Sequence, residues 1–309
     1  MTKNAKFDIF GVDISIYNDG FVDKTIGNRM KETNCISFDE YVEYGMVNHE
    51  ERENLKRALN NNFSEFFRHT LTFAYLEHQI IPSIIRKNVQ NQINEIRIWS
   101  AACSGGHEAY SVAILCDEYL KQQQYFKSQN EQLIKQQQYF KSQKEQAILQ
   151  DEDFPILDKS FKIRIFGTDL SEQEIEIVQN GTYQENALKN VAYGRLSKYF
   201  NQKGDNFSII PELKECIDFS TFDLLNKEFD CPTSSVFGNF DLIFCSNILY
   251  YYSQESQYAI IDKLDKSLAK GGYLVVSEAE VKIMEGMELP WNKFRNYKAI
   301  KNLPIFRKE

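Results

Sequence analysis

From Ile93 onward the chain alternates short apolar segments with helical ones, and this alternation narrows the possible folds more than any other feature. Ile96-Arg97-Ile98-Trp99 leads into Ser104-Gly105-Gly106, and a helical segment from about Glu108 to Leu120 follows. Phe161–Phe166 ends at Gly167-Thr168-Asp169; Ser171 with Glu174 then spells a capping box, and Asn180-Gly181 supplies a helix stop. Phe240–Cys245 reads as a third buried strand. Ser253 opens a helix carrying Ile260, Ile261, Leu264 and Leu268, and Gly271-Gly272 precedes the strand Tyr273–Val276. Strands joined by helical crossovers pair in parallel, and a parallel sheet needs both faces covered. The expected class is therefore α/β, with Tyr297–Ile300 and Leu303–Phe306 pairing as an antiparallel edge.

The region before this alternation reads differently. Ile14, Tyr17, Phe21, Ile26 and Met30 recur at roughly helical spacing. Ser37 and Glu40 form a capping box, with Ile36 and Tyr41 as its hydrophobic staple, and Asn48 can cap a further helix. The expectation is an all-α domain over residues 1–75, a linker helix over 76–94 and a sheet domain over 95–309. Short apolar segments such as Phe207–Ile210 and Cys216–Phe219 predict a small β insert at about 185–222. Lys121–Ile134 (KQQQYFKSQNEQLI) recurs almost unchanged as Lys135–Ile148 (KQQQYFKSQKEQAI), a duplicated Gln-rich helical insert. Its 14-residue period is two heptads, but one apolar doublet per two turns is a thin seam for a coiled coil. A solvated extension is the favoured reading; a helix-mediated partner at 121–148 is the sharper one.

Composition then excludes several functions. The net charge is −8, and residues 1–70 hold nine basic against twelve acidic side chains, so the chain lacks the basic footprint of a nucleic-acid binder. No apolar run approaches the ~20 residues of a membrane span, so no membrane insertion is expected, and the first residues lack a signal-peptide core. The six cysteines are scattered without a Cys-x-x-Cys pair, which argues against a disulfide framework or metal site and for the cytoplasm.

Open α/β sheets bind ligands beyond the carboxyl ends of their strands. Ser104-Gly105-Gly106 occupies one such end, where small residues let a ligand approach the backbone and the next helix presents free N–H groups. Asp169 ends the second strand, where a carboxylate can accept from both hydroxyls of a ribose; plain helix capping is the simpler alternative. It lies 63 residues beyond Gly106, against ~20 in a dinucleotide fingerprint, and the repeat-bearing insert accounts for most of the excess.

The segments IWSAACSGGHEAYS (98–111), FGTDLSEQEIEIVQNGTY (166–183), FDLIFCSNILYYY (240–252) and LAKGGYLVVSE (268–278) resemble, in order, the CheR-type chemoreceptor glutamate O-methyltransferases. FGVDISIYNDGFVDKTIGNRM (10–30) is similar to the helical domain of that family, and LNNNFSEFFR (59–68) resembles its Asn-x-Thr-x-Phe-Phe-Arg linker. The resemblance implies a Rossmann-like S-adenosylmethionine methyltransferase sheet with an N-terminal all-α domain and a small β insert. It implies S-adenosylmethionine as cofactor, S-adenosylhomocysteine as product and a chemoreceptor-type signalling protein as substrate.

Carried over position by position, the resemblance assigns Asn62 and Ser64 to the cofactor, and Arg68 to the catalytic pocket. Glu108 matches a Glu that binds the methionine amino end, Asp169 the ribose ligand, and Asp223 with Leu224 an Asn-Leu pair near adenine. Asn247 and Tyr251 match an Asn-x-x-x-Tyr motif, Asn247 toward the cofactor and Tyr251 toward catalysis. The chain departs from the family pattern at His107 (a Glu in relatives), Ala109 (Pro), Ser64 (Thr) and Ser246 (Arg). Ser246 and His107 motivate an alternative, a catalytically impaired cofactor-binding sensor or adaptor. Methylation of nitrogen or nucleic acid fits worse, because Asn247-Ile248-Leu249-Tyr250 does not match the Asn/Asp-Pro-Pro-Tyr loop that such enzymes use.

Overall fold

The computed structural model describes residues 8–59, 64–141, 160–286, 297–300 and 302–309, with 130–141 and 297–298 described as backbone only. Its first elements form a two-residue hairpin, β1 (Asp8–Ile9) and β2 (Val12–Asp13), turned by Phe10 and Gly11 at φ 46° and 82°. Ile14 and Tyr17 follow this hairpin and precede the helix, against the sequence expectation. Asn18 caps the chain there, accepting from the N–H groups of Gly20 and Phe21, so α1 (Asp19–Thr33) begins after both residues.

Ser37 caps α2 (Phe38–Val47) through the Glu40 N–H at 3.2 Å, while the Glu40 carboxylate reaches back to the Ile36 N–H at 2.7 Å. The expected staple does not form: Ile36 is 92% exposed, and Tyr41 packs edge-on against Phe10 instead. Asn48 accepts from Glu50 and Glu51 at the start of α3 (His49–Leu59). Ile9, Phe10, Val22, Ile26, Tyr41, Leu55 and Leu59 close an apolar cluster of their own.

The linker helix begins earlier than its sequence predicts, as α4 (Thr70–Tyr75), and passes through a π-turn at Leu76–Ile80 into α5 (Ile81–Gln90). The widened turn stands immediately before Pro82, which has no N–H with which to continue the ordinary ladder.

The sheet begins with β3 (Glu95–Ala101), followed by α6 (His107–Lys141), β4 (Lys162–Asp169) and α7 (Glu172–Asn180). A second, three-stranded antiparallel sheet follows: β5 (Thr182–Gln184), then α8 (Tyr193–Tyr199), β6 (Phe200–Lys203) and β7 (Asn206–Ile209), with β7 in the middle. After α9 (Pro211–Lys214), β8 (Ile217–Thr221) lies parallel to β4. Residues 217–221 therefore belong to the main sheet and not to the β insert in which their sequence had placed them. Alternation of apolar residues sets which face of a strand is buried, but the pairing partner is a long-range choice.

The chain continues through β9 (Phe240–Phe244), α10 (Gln254–Ser267), β10 (Leu268–Val275), α11 (Glu278–Gly286), β11 (Tyr297–Ala299) and β12 (Ile305–Lys308). The seven-stranded order is β11-β12-β10-β9-β3-β4-β8, parallel from β8 to β10, with β12 antiparallel between β10 and β11. The expected antiparallel edge is present. Period-two alternation divides the core into two layers: Leu242 and Phe244 join one apolar cluster, Ile243 and Cys245 the other.

Helix α6 buries Ala109–Cys116 against the sheet and then leaves it; at 35 residues it is about 52 Å long. The first copy of the repeat is helical throughout and exposes Tyr125 and Phe126; residues 142–148 of the second copy lie outside the described residues. Among the described residues, no helix is long and apolar enough to cross a membrane.

Candidate functional site

The chain leaves β3 toward β4 on one side and later returns to β9 on the other, so strand order reverses at β3 and opens a crevice at the carboxyl ends. A cavity lies there. Its walls include Ser64, Arg68, Glu108, Asp169, Asn247 and Tyr251, six of the residues selected from the sequence. Two others are not among its walls. Leu224 is buried in the apolar layer with Trp99 and Phe240, and Asp223 is exposed, its carboxylate accepting from the Leu225 N–H at 2.8 Å. Asp223 acts on the cavity by charge, raising the pKa values of Tyr17 and Tyr252 after the larger effect of burial. Asn62 lies outside the described residues.

The loop after β3 is built to turn sharply. Ala102, Ser104 and Gly106 have φ of 54°, 48° and 73°, and a Cβ on Gly106 would stand 1.9 Å from Val178, so that position needs glycine on both counts. Ala102, Ser104, His69 and Asn247 (φ 62° and 64° for the last two) are non-glycine left-handed residues, and all four line the cavity. Strain of this kind costs about 1 kcal/mol or more per residue and collects where a fold holds a working surface in place.

Asp169 supports that loop. One carboxylate oxygen accepts from the Ser104 N–H at 2.8 Å and the other from the Ser171 N–H at 3.0 Å, so it ties the β3 turn to the start of α7. Both the capping and the ligand readings can hold at once, because a carboxylate offers about four acceptor positions and the backbone donors do not fill them all. Burial pushes the Asp169 pKa up, opposed by the backbone donors of Ser171, Ser104 and Leu170.

Glu108 stands on the first turn of α6, partly buried, with Ser100 donating its hydroxyl at 3.1 Å and Ser246 adding a second hydrogen bond. Burial pushes its pKa up to about 7; the two serines, and Arg68 from further off, pull it down, and Glu280 adds to the rise. The hydroxyl of Ser246, where relatives were expected to carry Arg, thus serves Glu108. His107 takes another direction. Burial lowers its pKa to about 4, its Nδ1 is buried without a hydrogen-bond partner, and its ring packs against Phe66 and Tyr183. It is a neutral member of an aromatic cluster under the small sheet.

The linker that carries Ser64 and Arg68 is pinned by its aromatic residues. Phe66 is fully buried with Tyr183 and Phe200, and the Phe67 N–H donates to Ser111 Oγ at 3.0 Å. On the opposite wall, Tyr251 sits in a short 3-10 turn, with Phe21 of α1 at 4.6 Å between ring centroids. The segment between the hairpin and α1 holds this wall directly: the Asn18 N–H donates to the Tyr251 carbonyl, the Ser253 N–H to that of Ile16, and Tyr17 stacks on Tyr252 at 5.4 Å. Sequence reasoning missed Tyr17 and His69 as cavity residues. Tyr17 carried a signal, an apolar position displaced from the helix it was counted with; His69 carried none.

The walls suit a ligand with a cationic amino end and a ribose. Glu108 offers a carboxylate bonded to hydroxyls, Asp169 keeps acceptor capacity beyond its backbone donors, and aromatic and apolar walls (Tyr17, Phe73, Phe244, Tyr252) surround them. Among the described residues no group of three His, Cys, Asp or Glu side chains could hold a metal ion.

Residues 62–130 and 146–289 match the family of the CheR methyltransferase, SAM-binding domain. The chain is 25% identical over 277 residues to a chemotaxis protein methyltransferase of Borreliella burgdorferi, covering 89% of this chain and 84% of that protein. It is 25% identical over 279 residues to one of Listeria innocua, covering 90% and 87%. It is 28% identical over 231 residues to the Chemotaxis protein methyltransferase Cher2 of Pseudomonas putida, covering 74% and 69%. The family match spans well over half of the chain, as an ordered run through the crevice-forming strands. The chain therefore belongs to the CheR methyltransferase family, and S-adenosylmethionine is its cofactor.

Proposed function

We propose that this protein transfers the methyl group of S-adenosylmethionine to glutamate side-chain carboxylates of a chemoreceptor-type protein in the cytoplasm, forming methyl esters. The observation that carries the reading is Glu108, a carboxylate at a cavity wall whose hydrogen-bond partners are hydroxyls and whose proton affinity is raised by burial. Such a group is improved by an incoming ammonium, which the cofactor's methionine end supplies. When bound, S-adenosylmethionine contributes a methyl on a sulfonium, already activated for displacement.

The chain's own residues then have limited work. Glu108 and Asn247 hold the amino-acid end, Asp169 accepts from the ribose, and Ser64 adds a hydroxyl from the linker. A glutamate substrate, with an ordinary pKa of about 4.3, arrives ionised, so no general base is needed. Arg68 pairs with that carboxylate and Tyr251 orients the attacking oxygen. Closure of the cavity around the pair strips water from a weak nucleophile and aligns it with the methyl.

Incubation with radiolabelled S-adenosylmethionine and candidate receptor proteins, followed by alkali, tests the chemistry. A glutamyl ester releases methanol, whereas a base-stable label would rule out the carboxylate as acceptor.

A further inference from the structure

The loop after β9 is held from behind by one carboxylate. Glu280, on the first turn of α11, has no solvent exposure. Its Oε1 accepts from the N–H groups of Ile248 at 2.6 Å and Leu249 at 2.7 Å. Its Oε2 accepts from the Asn247 N–H at 2.9 Å, the Ser277 N–H at 2.8 Å and the Ser277 hydroxyl at 2.7 Å. Three successive amides directed at one point are no strand pattern; they lead into the 3-10 turn Leu249–Tyr251. Asn247 at φ 64° followed by Ile248 at φ −126°, ψ −39° turns them inward as an anion-binding nest, and the anion it holds is the protein's own.

This arrangement explains how a strained residue persists. Asn247 in the left-handed region returns to an ordinary conformation unless its surroundings over-determine it. A buried carboxylate, which needs every donor it has, supplies that constraint. The opposite side of the same loop presents Asn247, Ile248 and Tyr251 to the cavity, whereas Glu280 is not part of the cavity wall.

We infer that Glu280 is a positioning residue: by gathering the amides of Asn247, Ile248 and Leu249 it sets the Asn247 and Tyr251 side chains for cofactor and substrate. The inference rests on the cofactor-pocket reading above. The full-length chain, titrated with S-adenosylmethionine by calorimetry, tests it. Glu280→Gln keeps the volume but turns one oxygen into a donor facing other donors, and about a tenfold loss of affinity is expected with a cooperative melt retained. Ser277→Ala removes a donor from the same carboxylate without touching the loop, and about twofold or less is expected.

In an Asn247→Ala background the lever has no cofactor-holding side chain left to position, since Tyr251 serves the substrate, so Glu280→Gln is expected to change cofactor affinity by less than about threefold. Equal losses in both backgrounds mean a general effect on stability and overturn the inference. Wild-type affinity in Glu280→Gln overturns it while leaving the cavity reading intact; wild-type protein that binds no S-adenosylmethionine removes both. If Glu280→Gln does not fold, Glu280→Asp retains the charge and the α11 cap but draws the oxygens back from the loop. A several-fold loss supports the inference, and unchanged affinity overturns it.

Discussion

A buried glutamate and a partly buried one show how the N-terminal helices and the crevice use the same side chain differently. Glu51 of α3 receives Arg29 on both oxygens, Nε at 2.9 Å and Nη2 at 2.5 Å, and the Tyr41 hydroxyl at 2.7 Å. Burial would raise its pKa, but the hydrogen bonds from Arg29 and Tyr41 outweigh burial and hold it below the ordinary value. Glu108 receives two serine hydroxyls, and burial prevails, lifting it to about 7. The first carboxylate has a cation built into the fold, so its charge is spent on structure. The second is hydrogen-bonded by serines, with Arg68 acting on it only from further off, and so keeps attraction for a cationic ligand.

The sharpest way to break this contrast is to remove each group in turn. Glu51→Ala leaves the partly buried Arg29 guanidinium with Glu32 alone and strips the buried Tyr41 hydroxyl of its acceptor, an expected cost of about 2–3 kcal/mol, read by urea unfolding. A loss below about 1 kcal/mol would show that the pair is not what holds the helices together.

Glu108→Gln should behave in the opposite sense. Cofactor affinity should fall about ten- to a hundredfold by calorimetry, the worth of a hydrogen bond to a charged group. The unliganded protein should not be weakened at pH 8. With its folded pKa raised to about 7 against an ordinary 4.5, Glu108 favours the folded state fully below pH 4.5, and that contribution is lost as pH rises to 7. Gln removes this decline, so the stability difference between pH 5 and pH 8 should shrink in the variant. A variant that loses stability and keeps affinity would reverse the assignment of the two glutamates.

The same titration gives cofactor binding a bell-shaped pH profile. Affinity should rise from pH 6 to about 7 as Glu108 ionises, and fall above about 8 as an α-amino group loses its proton. Glu108→Gln should flatten the acid limb alone. Asp169→Ala is expected to weaken binding by about tenfold, through the loss of its remaining acceptor capacity and of the partner of its backbone donors. Undiminished affinity would overturn its place in the pocket.

Tyr17→Leu is the smallest perturbation. It keeps much of the apolar burial but removes the stack on Tyr252, worth about 0.5–1.5 kcal/mol, and loosens the contact between the hairpin and the wall carrying Tyr251. A change in thermal stability with no change in cofactor affinity would show that the N-terminal helices support the wall without shaping it.

Most of the crevice was legible because its chemistry is local. Asp169 ends a strand, Glu108 starts a helix and Asn247 follows a strand, and each position is fixed by its own neighbours in sequence. What failed to be legible depended on distance along the chain. The Ile36 staple lost to the pairing of Tyr41 with Phe10, and β8 left the insert for an edge next to β4. Glu280 went unnoticed for the same reason: a Glu in the first turn of a helix reads as an ordinary dipole partner. Nothing in the chain between Leu249 and Ser277 says that three amides converge on it.

The sequence by itself determined the succession of strands and helices, most of the caps and the identity of the groups at each carboxyl end, since these follow from short-range sterics and apolar periodicity. Only the tertiary structure decided which strands are neighbours, which carboxylate is matched by a cation and which is not, and how the loop at Asn247 is held. Those outcomes depend on which donors and acceptors reach each other once water is excluded, and that depends on the closed fold.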